Sequence, residues 1–288
     1  MLRKAIPASV EVSPKQANES EALIDLFPAG TPVYMTDIGS DTTDYLVSGA
    51  KRLRALGYEP VPHFAARRMI SLEILEDRVQ RMANEAGVTD VLVIGGGLEK
   101  EAGEFDSTMA LLNTGVFERH GIMRMGVAGH PEGSPDFDHD TAMEALHEKQ
   151  DFADRTGIAV RIVTQFGFDG PGFVDWAGDI RAAGINLPIH LGVAGPAKIT
   201  TLVKFAAMCG VGNSLSFLKK RGGAMATMIK GFDPDEIVAP IEAHWRKMGS
   251  GSYIEKIHVF PFGGAKKSTA WLNERGSWGE KPACAEVA

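Results

Sequence analysis

The sequence predicts a single closed (β/α)8 barrel of the TIM type, and three observations carry that reading. Eight short β-rich runs recur along the chain, helical patterns separate them, and each run ends in polar or Gly-rich residues. The runs are 9–12 (SVEV), 32–36 (PVYMT), 60–64 (PVPHF), 90–96 (DVLVIGG), 123–129 (MRMGVAG), 159–166 (AVRIVTQF), 187–193 (LPIHLGV) and 256–262 (KIHVFPF). Parallel strands need a crossover to bring the chain back, and eight of them close a barrel whose site lies at the strand C-termini. In 43–57, Leu46, Ala50, Leu53 and Leu56 fall at helical spacing before a Gly57 stop. In 71–87, Ser71 caps an acidic first turn and Gly87 ends the helix. Further helices are expected over 105–119, 139–156, 171–184, 197–209 and 234–248. Residues 212–232 form an extra helical segment between the seventh and eighth strands, and 275–288 reads as a frayed tail. The competing architecture, an open doubly wound sheet, lacks its fingerprint: SVEVSPKQA is no Gly-rich turn, and the glycines at 95–97 do not continue as GxGxxG.

Composition narrows the function. At 288 residues, one barrel domain over 1–288 accounts for the chain and leaves no room for a large regulatory domain after it. Charged residues are 23%, hydrophobic residues 44% and the formal net charge is −7, with no long basic run, so nucleic acid is not an expected partner. Cys209 and Cys284 are far apart and suggest neither a disulfide framework nor a metal site. No stretch approaches the roughly 20 apolar residues of a membrane span, and no leader follows the basic start, so a cytoplasmic protein is expected. A homo-oligomer is left open.

Several residues could carry chemistry. Alternation in SVEV turns Val10 and Val12 outward and Glu11 into the barrel near the strand end. A carboxyl sheltered from water keeps its proton more readily, as a general acid requires; equally, it could be structural, paired with a Lys or Arg. Gln165 ends the sixth run and can read the amide edge of a heterocycle, or cap loop backbone. His63 ends the third run without an HxH or HxxxH partner, which favours a packed histidine over a metal ligand. Thr36 and Asp37 could bind a ligand or cap the helix after them, and Lys149 could be a solvated helix residue or a phosphate contact. The Gly-rich segments 126–136 and 263–268 could admit a planar ligand or, with Lys266 and Lys267, a phosphate; either could be only a turn.

Read together, the motifs resemble the methylenetetrahydrofolate reductase family from about Val10 to about Leu272. SVEVSP is similar to the first-strand motif with its catalytic Glu, VPHF to PHL, GVAGHPEGSPD to GVAGYPxGHPE, and TQFGFD to TQFFFD. LGVAGPAKITTLVKFAAMCGV is similar to PGIxPVxxxxxxxKFAxMxGV. The resemblance implies reduction of 5,10-methylenetetrahydrofolate to 5-methyltetrahydrofolate with NAD(P)H. Glu11 would be the acid that protonates the departing nitrogen, and Gln165, with Phe166 beside it, would meet the folate substrate. In flavin-containing members FAD relays the hydride, and Thr36, His63 and Lys149 fall on positions that touch it. The chain departs from the family where RGD becomes Gly95, Gly96 and Gly97, where His130 replaces Tyr and Ser134 replaces His, and where Asp37 stands for Tyr. These changes cluster on the flavin-facing side, which weighs against FAD and towards direct transfer from the nicotinamide, with the three glycines making room for it. A related barrel acting on another reduced pterin, or a non-catalytic folate- or partner-binding barrel, are the alternatives. Whether the duty is methionine supply or methyl-group oxidation is not written in the sequence.

Overall fold

The structure, a computed structural model, describes residues 5–209 and 231–278. Eight strands pair in parallel and the first closes on the last: β1 (Ala8–Val12), β2 (Pro32–Met35), β3 (Glu59–Ala65), β4 (Asp90–Ile94), β5 (Arg124–Gly129), β6 (Ala159–Gly167), β7 (Ile189–Ala194) and β8 (Ile254–Phe260). Closure sets Ser9 beside His258 across the β1–β8 seam, and Glu11 beside Tyr34 across β1–β2. The described helices are α1 (Pro14–Glu19), α2 (Thr43–Ala55), α3 (Leu72–Ala86), α4 (Thr108–Leu112), α5 (Val116–Arg119), α6 (His139–Thr156), α7 (Gly170–Ala182), α8 (Ile199–Met208), α9 (Asp235–Met248) and α10 (Ala265–Arg275).

Local chemistry sets these boundaries. In α3 the Ser71 hydroxyl accepts from the Ile74 amide, Leu75, Val79 and Met82 bury one stripe, and Gly87 ends the helix at φ 61°. That positive φ is cheap only for glycine. The helix expected over 105–119 is two short helices, because Gly115 takes φ 67° between them. The glycines after β4 leave the strand rather than extend it, with Gly96 at φ 101°. The segment 263–268 is a tight turn that starts α10: a Cβ on Gly263 would lie 2.0 Å from the Pro196 carbonyl, and Lys266 and Lys267 lie exposed on the helix. The extra segment expected at 212–232 lies outside the described residues apart from its end, where Phe232 bridges Ala197. The first part of the expected frayed tail is instead packed, since Trp278 donates its indole N–H to the Ala8 carbonyl and its ring meets Phe27.

Strand alternation gives the barrel two cores. Val10, Val33, Phe64, Val93, Val127, Ile162, Leu191 and Val259 are buried between strands and helices. Inside, Tyr34, Val61, Leu92 and Val163 form a separate cluster with Ile94 against it. A barrel interior of this size is filled, not a pore. Beneath this plug Arg161 donates to the Tyr34 hydroxyl at 3.0 and 2.7 Å and to Asp90 at 2.9 Å.

Candidate active site

Glu11 is the fourth residue of β1, so the alternation that buries Val10 and Val12 against the helices sends it into the lumen above the apolar plug. It is 16% exposed, and its Oε2 lies 3.6 Å from Nε2 of His63 on β3 and 3.6 Å from Nε2 of His258 on β8. Both of these Nε2 atoms are buried with no hydrogen-bond partner among the described residues. The other nitrogen of His258, Nδ1, lies 2.9 Å from the Ser9 hydroxyl. Burial pushes the pKa of His63 below its ordinary value and outweighs the attraction of Glu11, so His63 faces the carboxyl uncharged at neutral pH. An acid in this position is approached by polarisable N–H and N groups, not by a fixed cation.

A second polar pair joins α6 to the loop after β5. Lys149, on α6, is 7% exposed and makes no hydrogen bond or ion pair with the described residues. Burial lowers its pKa to about 8, against the attraction of Glu148. His130, after β5, is lowered to about 4 by burial and then by the Lys149 charge, and its ring packs edge-on to Phe137 at 5.0 Å. A buried ammonium without a counter-ion is a site for an anion. After β4, a Cβ on Gly95 or Gly97 would meet nothing within 4 Å, so this rim is open, whereas Gly96 sits against Ala65.

Gln165 is placed by an irregularity. The β6–β7 register shifts between Val163 and Phe166, and in that bulge the Thr164 hydroxyl accepts from the Gly192 amide at 2.8 Å and donates to the Gln165 carbonyl at 2.9 Å. The Gln165 side-chain oxygen accepts from the Phe166 amide at 3.1 Å, which leaves its NH2 group uncommitted among the described residues. Phe166 itself is 1% exposed and packs on Phe168, Phe260 and Phe262, so its ring offers no surface to a ligand. Asp37 is likewise occupied: it pairs with Arg78 at 2.6 Å and accepts from the Gly39 amide at 2.8 Å, which fixes the loop after β2. Thr36, half-buried, continues the β1–β2 pairing by donating its amide to the Val12 carbonyl.

The structure therefore sets Glu11 beside His63, puts His130 within reach of the Lys149 charge, commits Asp37 to Arg78 and buries Phe166 among aromatic rings. The sequence reading missed Ser9, Tyr34 and His258. Alternation puts Ser9 on the Glu11 face and His258 on the Phe260 face, but only closure of β8 on β1 brings them together. An open groove of about 500 Å³ lies outside Asp37 and Arg78, and another of about 600 Å³ opens beside Asp90, Arg161 and His190. Neither is lined by Glu11, and the chemistry is better located by where orphaned polar atoms converge. No group of three or more His, Cys, Asp or Glu among the described residues could hold a metal ion, and no described helix is long and apolar enough to cross a membrane.

Comparison with known proteins bears on the family. The family model described as methylenetetrahydrofolate reductase matches residues 5–220. Methylenetetrahydrofolate reductase 1 of Schizosaccharomyces pombe is 32% identical over 149 residues, covering 49% of this chain and 24% of that protein. Methylenetetrahydrofolate reductase 2 of Saccharomyces cerevisiae is 25% identical over 218 residues, covering 71% and 34%. The 5,10-methylenetetrahydrofolate reductase of Pectobacterium carotovorum subsp. carotovorum is 25% identical over 223 residues, covering 74% and 68%. The chain thus spans about a quarter and a third of the two yeast proteins. With a closed parallel barrel and a family match over most of its length, this chain belongs to the methylenetetrahydrofolate reductase family.

Proposed function

We propose that this barrel reduces 5,10-methylenetetrahydrofolate to 5-methyltetrahydrofolate, with Glu11 as the general acid and a reduced nicotinamide nucleotide as the hydride donor. The observation that carries the reading is Glu11 itself, inside the upper barrel of a chain in this family, with His63 and His258 as its polar neighbours. Proton transfer from Glu11 to the departing nitrogen of the folate's five-membered ring lets that C–N bond break. The electron pair goes with the nitrogen, and the methylene carbon remains as an electrophilic iminium. Bound nicotinamide would supply the hydride that this carbon accepts. Gln165, whose NH2 group is uncommitted among the described residues, would offer it to a pterin acceptor from a position held by the bulge.

The nucleotide side is supported by the chemistry of the donor set. Lys149 is a buried cation that makes no ion pair among the described residues and suits a diphosphate, and the open rim at Gly95 and Gly97 leaves space for a planar ring. Asp37 is committed to Arg78, and no acidic side chain stands at Gly97, so the groups expected to tune a flavin are reduced. Direct transfer from NADH or NADPH is therefore our reading, without FAD. The purified protein should oxidise a reduced nicotinamide when methylenetetrahydrofolate is added, with no flavin absorbance and no response to added FAD. Turnover that requires FAD would overturn direct transfer. No folate-dependent oxidation with either nicotinamide, with or without FAD, would overturn the reductase reading.

A further inference from the structure

The geometry points to a positioning pair behind the acid: we infer that Ser9 fixes the tautomer of His258 so that His258 presents an N–H to Glu11, a role that rests on the proposed function of Glu11. The Ser9 hydroxyl is completely buried, and His258 Nδ1, at 2.9 Å, is its one hydrogen-bond partner among the described residues. A hydroxyl carries one proton. If Nδ1–H donated to Ser9, the Ser9 proton would be left buried without an acceptor, an arrangement native interiors avoid. Ser9 therefore donates, Nδ1 accepts, and the single ring proton of His258 resides on Nε2.

That proton is aimed at the acid. His258 is wholly buried and packed against Tyr34 at 4.3 Å and Phe260 at 4.9 Å, so the ring has no room to turn over. Its Nε2 lies 3.6 Å from Glu11 Oε2, a separation that a small shift of the carboxyl converts into a hydrogen bond. As Glu11 gives its proton to the substrate nitrogen, negative charge develops on the carboxylate and the Nε2–H···Oε2 bond strengthens. His258 keeps its proton throughout; it stabilises the product of the proton transfer without taking part in it. His63 approaches the same oxygen at 3.6 Å, but no Ser9-like partner fixes its tautomer among the described residues.

Among the described residues, the titratable groups that act on Glu11 are His63 from β3, His258 from β8, Tyr34 from β2 and Cys209 at the end of α8. Burial holds the Tyr34 hydroxyl up at about 12, and partial desolvation with the Glu11 charge raises the exposed Cys209 thiol, so neither ionises around neutral pH. Loss of the His258 donor then acts on the acid itself. A hydrogen bond to a carboxylate favours the ionised form, so losing it raises the pH at which the acid is spent.

The test begins without substrate. In nitrogen-15-labelled wild-type protein, the histidine signal that disappears in His258→Asn should show an unprotonated Nδ1 and a protonated Nε2. Ser9→Ala should mix or reverse that tautomer. In the same variant kcat should fall roughly tenfold, and the alkaline limb of its pH profile should move up by about half a unit or more. Ser9→Thr, which keeps the hydroxyl, should retain the wild-type tautomer and limb. A proton on Nδ1 in the wild type overturns the inference, as does an unmoved limb in Ser9→Ala, which would mean that Ser9 only packs. If the wild type fails to turn over the folate, the proposed function falls and the tautomer spectrum alone decides whether Ser9 sets His258.

Discussion

Glu11, 16% exposed inside the barrel, is the acid of the proposed reaction, and that role says what its replacement should do. Glu11→Gln keeps the shape and removes the acid, so turnover should drop at least roughly a hundredfold while folate affinity measured by titration is kept. A smaller loss would remove Glu11 from the proton transfer. Lys149 makes the opposite compromise. Its pKa of about 8 lies below the ordinary lysine value, so between those two pH values the unfolded chain holds a proton that the folded chain has released. Stability from this residue is therefore poorest below about 8 and rises with pH through that window. Lys149→Met should raise unfolding free energy at pH 7 by on the order of 2 kcal/mol and weaken nucleotide binding roughly tenfold. Denaturant melts and nicotinamide titration read the two effects separately, and an unchanged nucleotide affinity would place the lysine outside the site.

Among the elements, the β6 bulge departs from regular pairing beside Gln165. A regular strand would continue alternation past Val163; the register shift instead sends Phe166 into the aromatic packing and leaves Gln165 half-buried. Thr164 holds the shift by serving as the acceptor that the Gly192 amide would otherwise lack. Thr164→Val keeps the volume but orphans that amide, at a cost of about 1–3 kcal/mol. The midpoint of urea unfolding should fall, and folate affinity should weaken more than nucleotide affinity. Equal weakening of both ligands would separate the bulge from pterin recognition.

The whole barrel depends on joining its ends. The Ile6 amide donates to Glu242 at 2.7 Å, Arg246 and Arg275 pair with the same carboxylate at 2.7 and 3.2 Å, and Trp278 reaches back to Ala8. These bonds tie the last described helices to the entrance of β1, the strand that bears Ser9 and Glu11. Glu242→Ala leaves Arg275 with Asp235 alone, at 3.4 Å, and strips the Ile6 amide of its acceptor, so it should lower stability by about 1–3 kcal/mol. A thermal melt within a degree of wild type would show that the seam is held by packing alone.

Period and punctuation made the barrel legible, because a parallel sheet imposes repeating strand, crossover helix and turn signals that can be read one element at a time. They also placed Glu11 in the lumen and Gln165 at a strand end. Single-sequence periodicity did not reveal that Asp37 belongs to Arg78, that Gly115 divides a helix, or that a register shift turns Phe166 into the aromatic packing. Each depends on a neighbour far away in the chain or on a local backbone angle. The amino-acid order by itself determined the closed fold, the inward carboxyl and the family. Only the tertiary structure decided what surrounds that carboxyl, since Ser9 and His258 stand 249 residues apart and meet because the eighth strand pairs with the first.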